Sequence, residues 1–467
     1  MTTSTVRRKY MIHVYGGNTA MRDDILKDAE ANGFDTEITF GKEKNPFSVK
    51  IFSTNISKLD EWIIPFENLK TVYVFYYDDH PKNISLKPKS GRKRVSKPLS
   101  NLTTTTGTIP EATVSIDTGA TTEANYNIKY LDNGQPLTSA MSMLYRFPPI
   151  SKPRPNIGIV GLDSYVYETD FPLYWSALGL ISPNIPIVNI VLIDGAVNTP
   201  SGDSESNLDV QMVGGNCTNA NISLYLTENT DGGPFYDCVL AAISNNKIVT
   251  MSWAFSGNMT SVGELLQYFA SQGGNFFESS GDTGSSGFYE APYYCSYPSV
   301  IACGGTSITA GTYNYNAYAS TTTETAWGTF SGGGISYLPS ADFQRSTMNR
   351  ANTTGVRLGN RCVPDIAACA NGVVLYSNGV SIWPPYVETG TSCVAPMMAA
   401  LCGILQPKVF LSPIFYANLN SDIKWYRDIT EGNNGAYLCQ PGYDMVTGIG
   451  SIDGIGLQQL LQRLGVV

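Results

Sequence analysis

Histidine is nearly missing from this chain of 467 residues: His13 and His80 are the only two, and none follows residue 80. A serine nucleophile ordinarily takes imidazole as its base. Serine chemistry beyond residue 80 therefore has to find another proton acceptor. No apolar run approaches the ~20 residues that a membrane span needs. Met1–Tyr10 is polar and Met11–Tyr15 is too short for the apolar part of a secretory leader, so neither a leader nor a membrane segment is expected. The nine cysteines include no C-x-x-C pair, and they read mostly as buried or free thiols with room for a few disulfides. Charge is also scarce, at 15% of residues, below the roughly 25% of an average globular chain.

What is present is unevenly distributed. Length predicts two or three domains. Residues 1–100 carry 17 Lys/Arg against 12 Asp/Glu, and the remainder carries 13 against 27. A cationic head and an anionic body attract each other within one molecule. The competing reading of the basic end is a nucleic-acid contact, above all over residues 81–97, which hold seven Lys/Arg and no acid. No aromatic or glycine pattern suited to nucleic acid accompanies that run, so a nucleic-acid partner is not expected and a cleavable or flexible linker is.

Hydrophobic periodicity divides the chain into three parts. In residues 1–80, strand-like Tyr10–Tyr15, Phe34–Phe40, Phe47–Phe52 and Thr71–Tyr77 alternate with helical Thr19–Asn32 and Ile56–Phe66. The order βαββαβ predicts a small ferredoxin-like α+β domain. Residues 81–150 are basic, then Ser/Thr-rich, with a helix over Leu137–Phe147 and a proline cluster at Pro148, Pro149, Pro153 and Pro155 marking a boundary. Residues 151–467 read as βα repeats. Their strands are Ile157–Leu162, Ile187–Ile193, Ile222–Leu226, Ile248–Trp253, Phe276–Ser279 and Val300–Ala302, with helices such as Pro234–Ser244 and Val262–Ser271. Such alternation gives a parallel sheet with helices on both faces, and chemistry gathers at the carboxyl ends of its strands.

Four segments could carry that chemistry. Ser392 lies in Gly390-Thr391-Ser392-Cys393-Val394-Ala395-Pro396, at the start of an apolar helix over Cys393–Leu405. There the free N–H groups and positive dipole end suit an oxyanion, although a plain N-cap serine has the same look. Glu205 and Asp209 stand i and i+4 on one helix face. Two carboxylates so close share a proton, which raises one pKa and leaves a tuned base with a partner to orient it; the plain alternative is a solvated acidic face. Asp282 sits in the small-residue loop Ser279–Gly287 directly after a strand. A protonated carboxyl there can donate to a developing oxyanion, and a turn aspartate is the alternative. Asp428–Gly435 and Gln440–Asp444 supply carboxylates and kinked backbone of the kind Ca²⁺ takes, or an irregular loop without metal.

Taken in order, these segments resemble the sedolisin family of serine-carboxyl peptidases over about residues 157–454. Glu205-x-x-x-Asp209 resembles the family's paired acids. Ser280-Gly281-Asp282-x-Gly284 resembles its oxyanion loop, and Gly390-Thr391-Ser392 with Ala395-Pro396 its nucleophile motif. Tyr297-Pro298-Ser299, Gly304-Gly305-Thr306, Glu324-Thr325-x-Trp327, Ser331-Gly332-Gly333-Gly334-x-Ser336, Val363-Pro364-Asp365 and Thr447-Gly448-Ile449-Gly450 fall in the family's order between and after them. The resemblance implies a subtilisin-like α/β fold. It implies Ser392 as nucleophile, Glu205 as general base, Asp209 as its orienting partner and Asp282 as oxyanion donor. It also implies one structural Ca²⁺ held by the carboxylates of Asp428 and Asp444 and the carbonyls of Ile429, Gln440 and Gly442. Gln440 replaces a glycine often seen there, to which a carbonyl ligand is indifferent.

The expected partners are polypeptide substrates and the chain's own N-terminal prodomain, which matches the family less well because family propeptides are usually longer. Three other readings compete: a catalytically silent sedolisin fold, a subtilisin-type enzyme borrowing His13 or His80, and the nucleic-acid binder already described. An acidic compartment, the extracellular space or a packaged particle are the settings such an enzyme implies.

Overall fold

The computed structural model describes residues 8–14, 19–40, 47–53, 58, 72–78, 138–162, 166–198, 205–228, 233–253, 260–286, 294–309, 323–348, 360–370, 373–375 and 386–467. The chain divides into two units, an N-terminal one within residues 1–95 and a body comprising nearly all the rest.

The N-terminal unit holds four strands, β1 (Arg8–Val14), β2 (Asp35–Phe40), β3 (Phe47–Ser53) and β4 (Val72–Asp78), with the helix Thr19–Ala31 between β1 and β2. The sheet runs β2-β3-β1-β4 and every neighbouring pair is antiparallel. Gly33, at φ 76°, ends the helix in the left-handed region that glycine tolerates, and Ile25, Ala29 and Phe34 are buried. The expected second helix, Ile56–Phe66, lies outside the described residues except for helical Lys58. The basic run 81–97 also lies outside them.

The body is built on a sheet of ten strands. Its main path is β17 (Tyr426–Arg427), β18 (Ser451–Ile452), β14 (Ile366–Cys369), β10 (Ile301–Thr309), β9 (Asn275–Ser279), β8 (Ile248–Met251), β5 (Asn156–Leu162), β7 (Asn221–Thr227) and β6 (Ile187–Leu192), and β11 (Thr323–Ala326) pairs with β10. All neighbours from β18 to β6 are parallel. The register sets Ile157 opposite both Ile222 and Ile248. Helices on both faces bury the central strands completely. That is why β5 and β8 read as largely apolar runs without polar alternation, while β9 is buried at every position although its sequence is Asn-Phe-Phe-Glu-Ser. The strand order reverses between β5 and β8, which places a crevice at their carboxyl ends.

One helix runs through the core. Val394–Leu405 is buried at every position, including Met397, Met398, Leu401 and Ile404, as expected of a helix apolar all round. Pro396 is harmless in its first turn, where an N–H would lack an intrahelical partner anyway. A buried ion pair, Arg361–Asp365, braces β10 from beneath. Asp365 accepts both guanidinium nitrogens at 2.7 and 2.6 Å, the Ala302 N–H at 2.8 Å and the Tyr416 hydroxyl at 2.7 Å. Both side chains are fully buried, and such a pair is tolerable because its lone pairs are so fully used.

The sequence-based strands and helices of the body match to within a few residues, except that the strand expected at Val300–Ala302 runs on to Thr309 as β10. The short strands after residue 320 do not appear among those expectations. They are the antiparallel pair β12 (Gly334–Pro339) and β13 (Asn360–Val363), the antiparallel pair β15 (Val373–Leu375) and β16 (Tyr386–Glu388), and β11, β14, β17 and β18. Each has two to six residues and too few alternations to show a period. No cysteine forms a disulfide: all nine are buried thiols. No helix among the described residues is long and apolar enough to cross a membrane.

Candidate active site

Glu205 opens the helix Glu205–Asn216, which lies between β6 and β7 and is buried from Ser206 onward. One turn later Asp209 is fully buried. Burial pushes its carboxyl up to about 8, offset in part by a hydrogen bond from Ser252. Ser252 follows β8 directly, at the carboxyl-end crevice. Its hydroxyl donates to Asp209 Oδ1 at 2.7 Å and lies 3.5 Å from the Ser392 carbonyl oxygen. The paired acids are therefore not a solvated face; Asp209 points into the protein next to the residue singled out as nucleophile.

Ser392 lies in a 3-10 turn, Thr391–Cys393, that leads into the core helix. It is half-buried, whereas its neighbours Thr391 and Cys393 are buried. The turn is pinned by the second predicted acid. Asp282 Oδ1 accepts the Thr391 N–H at 2.9 Å and the Thr391 hydroxyl at 2.7 Å, and the Gly281 N–H donates to Thr391 Oγ1 at 3.1 Å. Asp282 itself stays exposed, open to a ligand. Gly390 is required here: its φ is 152°, and a Cβ on it would stand 2.7 Å from Asp282 Oδ2.

The Ser279–Gly287 loop is held from behind. Ser280 donates to the Gly332 carbonyl at 2.7 Å, and the Gly332 N–H donates to the Gly281 carbonyl at 2.7 Å. A Cβ at Gly332 would stand 2.1 Å from the Ser280 carbonyl oxygen. The Ser331–Gly334 motif thus has a physical reason, close backbone approach to the loop that carries Asp282. The Gly284 N–H donates to the Phe330 carbonyl and the Ser285 N–H to the Asn434 carbonyl, each at 2.8 Å.

Asp209, Asp282 and Ser392 thus meet at one turn, with Glu205 one helical turn from Asp209. Two residues that complete the contacts, Ser252 and Thr391, were not assigned roles from the sequence. Thr391 belonged to a motif already noted. Ser252 carried no signal of its own, because it fell inside the expected strand Ile248–Trp253, whereas β8 ends at Met251. The body contains no histidine from residue 96 onward, so carboxylates are its only side-chain candidates for a base near neutral or acid pH.

The calcium candidates gather at the other end of the sheet. Asp428 follows β17 and its Oδ2 accepts the Gly442 N–H at 2.7 Å. Asp444 Oδ2 accepts the Gln440 N–H at 3.2 Å, and its Oδ1 accepts Val446 N–H at 2.9 Å and Thr447 N–H at 2.8 Å. The two carboxylates therefore bracket the 440–442 turn, next to buried Ile429. Burial raises both, Asp444 to about 6. No group of three or more His, Cys, Asp or Glu among the described residues could hold a metal.

The sheet order and the serine at the head of a buried helix define the body as a subtilisin-like α/β protein with a serine–carboxyl constellation. Pseudomonas sedolisin, solved as a serine-carboxyl proteinase complexed with two molecules of pseudo-iodotyrostatin, superposes with a TM-score of 0.57 at 24% identity, over 70% of this chain and 98% of that one. Kumamolisin from Bacillus sp. (strain MN-32) is 32% identical over 343 residues, 65% of this chain and 59% of its own length. Tripeptidyl-peptidase sed5 of Aspergillus fumigatus is 27% identical over 286 residues, 52% of this chain and 49% of its own. The chain thus spans about half to three-fifths of these curated relatives. No protein-family model matches it. The chain is a relative of the sedolisin family of serine-carboxyl peptidases, as its ordered motifs imply.

Proposed function

We propose that this protein is an acid-active serine-carboxyl peptidase that hydrolyses peptide bonds through an acyl-enzyme on Ser392. The observation that carries this reading is the pinning of the Thr391–Ser392 turn by Asp282, which accepts the Thr391 N–H at 2.9 Å and hydroxyl at 2.7 Å, beside Ser252, which donates to buried Asp209 at 2.7 Å and lies 3.5 Å from the Ser392 carbonyl oxygen. Ser392 Oγ attacks the substrate carbonyl carbon and its proton passes to Glu205. The tetrahedral adduct expels the amine, which takes that proton back, and leaves an ester on Ser392. Water then attacks the ester with Glu205 again accepting the proton; the acyl C–Oγ bond breaks, the carboxylic acid leaves, and Ser392 Oγ takes the proton back from Glu205. Asp209, buried and neutral, orients Glu205. Protonated Asp282 donates to the oxyanion through Oδ2, since Oδ1 is engaged by Thr391. Charged, it would repel the same oxyanion, so activity belongs to acid pH.

The N-terminal unit is the inhibitory prodomain in this reading. Its antiparallel order β2-β3-β1-β4, with a helix between the first two strands, supports a ferredoxin-like fold. The basic balance of residues 1–100, supplied by the run 81–97, opposes the acidic balance of the body. Acid discharges the body's carboxylates, weakens that attraction and permits cleavage within residues 81–150. Incubating the full chain near pH 4, in the carboxylate range, is expected to yield a new N-terminus in that interval, and Ser392→Ala is expected to stay whole. A peptide aldehyde added at the same pH should block the cleavage. If the wild-type chain also stays whole, and reacts no faster with the aldehyde than Ser392→Ala, the peptidase reading is lost and the silent fold takes its place.

A structural Ca²⁺ fits the Asp428–Asp444 site. Burial raises both carboxylates there, a penalty that a divalent ion would offset. Asp428 and Asp444 would supply carboxylate oxygens, and Ile429, Gln440 and Gly442 carbonyls. The ion would fix the 440–448 loop and take no part in bond cleavage. Chelation is expected to lower the melting temperature of Ser392→Ala, and millimolar Ca²⁺ to restore it. Identical melting with chelator and with Ca²⁺ speaks against the site.

A further inference from the structure

We infer that Ser252 is a positioning residue for the acid pair: its hydroxyl holds Asp209 by one oxygen and leaves the other to carry the proton toward Glu205. This inference rests on the serine-carboxyl reading and deepens it. A serine hydroxyl has one proton to give. At 2.7 Å it goes to Asp209 Oδ1; the Ser392 carbonyl, at 3.5 Å, is at the outer limit for a bond. Oδ1 is thereby an acceptor. Asp209 Oδ2 is buried and has no hydrogen-bond partner among the described residues. An acid proton on Oδ1 would meet the Ser252 proton head-on, so it resides on Oδ2. Glu205, one helical turn away on the same face, is the base that needs such a donor.

The same device recurs at the other acid. Asp282 Oδ1 takes the Thr391 hydroxyl at 2.7 Å and so leaves Oδ2 for the substrate. In both cases a hydroxyl at a strand end or helix start decides which carboxyl oxygen works. Ser252 touches neither Glu205 nor any reacting atom in the hydrogen bonds described. Its effect passes through Asp209, so it should alter the chemical step and not substrate binding.

The test uses the acid-incubated full chain and an internally quenched peptide that the wild type cuts. Losing a hydrogen bond to a polar acid of this kind costs roughly ten- to a hundredfold, so Ser252→Ala should lower kcat by that factor with KM within about twofold of wild type. Ser252→Thr, which keeps the hydroxyl, should recover most of the loss. In the Ser392→Ala background the threonine variant should melt with that background, and the alanine variant only a few degrees below it, the cost of one buried hydrogen bond. An alanine variant with wild-type kcat overturns the inference. So does a loss that threonine fails to restore, or an alanine variant that no longer melts cooperatively near its background, since either marks a packing role. Failure of the wild type itself to cut any peptide is a different result, and it removes the peptidase reading rather than the part played by Ser252.

Discussion

Asp282→Ala is expected to lower kcat by roughly 10²–10³ at acid pH, the usual cost of losing one oxyanion donor, while KM changes little. The reason lies in how the side chain is held. Two donors from Thr391 converge on Oδ1, so only Oδ2 can turn to a substrate oxygen. That donor matters when the carbonyl becomes an oxyanion, and the carbonyl of bound substrate gains much less from it. Asp282→Asn separates proton from position. Its Oδ1 can accept the same two Thr391 donors, which aims Nδ2 where Oδ2 stood, and an amide donates at any pH. The asparagine variant should therefore retain more activity than alanine and lose less of it as pH rises toward neutrality. Gly390→Ala should resemble Asp282→Ala without touching the carboxyl, because its Cβ would stand 2.7 Å from Oδ2. Steady-state rates from about pH 3 to 7, across the titration range of carboxylates, check all three. A kcat for Asp282→Ala within a few-fold of wild type would sink the oxyanion role.

Much of this site was legible because its parts are local. Glu205 and Asp209 declare a shared face by helical spacing, and Ser392 announces itself between a glycine and an apolar helix. Asp282 was legible as an acid in a small-residue loop after a strand. The parallel sheet was legible too, since strands such as β5 and β8 are largely apolar and alternate with helical stretches. The contacts that join these parts were not legible. Ser252 reaches Asp209 across 43 residues and Thr391 reaches Asp282 across 109, and neither pairing leaves a periodic trace. Ser252 was read as part of the Ile248–Trp253 strand, which hid that it lies just past the strand's end. The short strands β11 to β14 escaped for the opposite reason. They take their place from neighbours such as β10, with Asp365 anchoring its Ala302, rather than from a pattern of their own.

Glu278 escaped most completely, and it carries the second large prediction. Glu278→Gln is expected to raise the melting temperature at neutral pH and change it little near pH 4, where a carboxyl is already neutral. Glu278 lies in the middle of the sheet, opposite Met251 of β8 and Ala302 of β10, and is fully buried. Among the described residues neither carboxyl oxygen has a hydrogen-bond partner of normal geometry. Burial pushes the carboxyl well above its usual range, and the Cys295 N–H offsets this only in part. Its ionisable surroundings are Cys295, Cys303 and Tyr297, with the Arg361–Asp365 pair beyond the two thiols and Glu264 beyond the tyrosine. The one cation, Arg361, is already committed to Asp365. The folded state therefore keeps the Glu278 proton at pH values where the unfolded chain, titrating near 4.3, has released it. A group raised in this direction contributes its full stability below the unfolded value and loses it as pH climbs toward the folded one. The slope is roughly 1.4 kcal/mol per pH unit for one proton. Glutamine has the same shape and no proton to lose, so it removes that slope. Melting curves of Ser392→Ala with and without Glu278→Gln, taken from about pH 4 to 7.5 across this window, should meet at the acid end and diverge toward neutrality. Parallel curves would mean that Glu278 does not stay protonated in the fold. Divergence would mean that the core, like the oxyanion loop, is arranged for a medium in which carboxyl groups hold their protons.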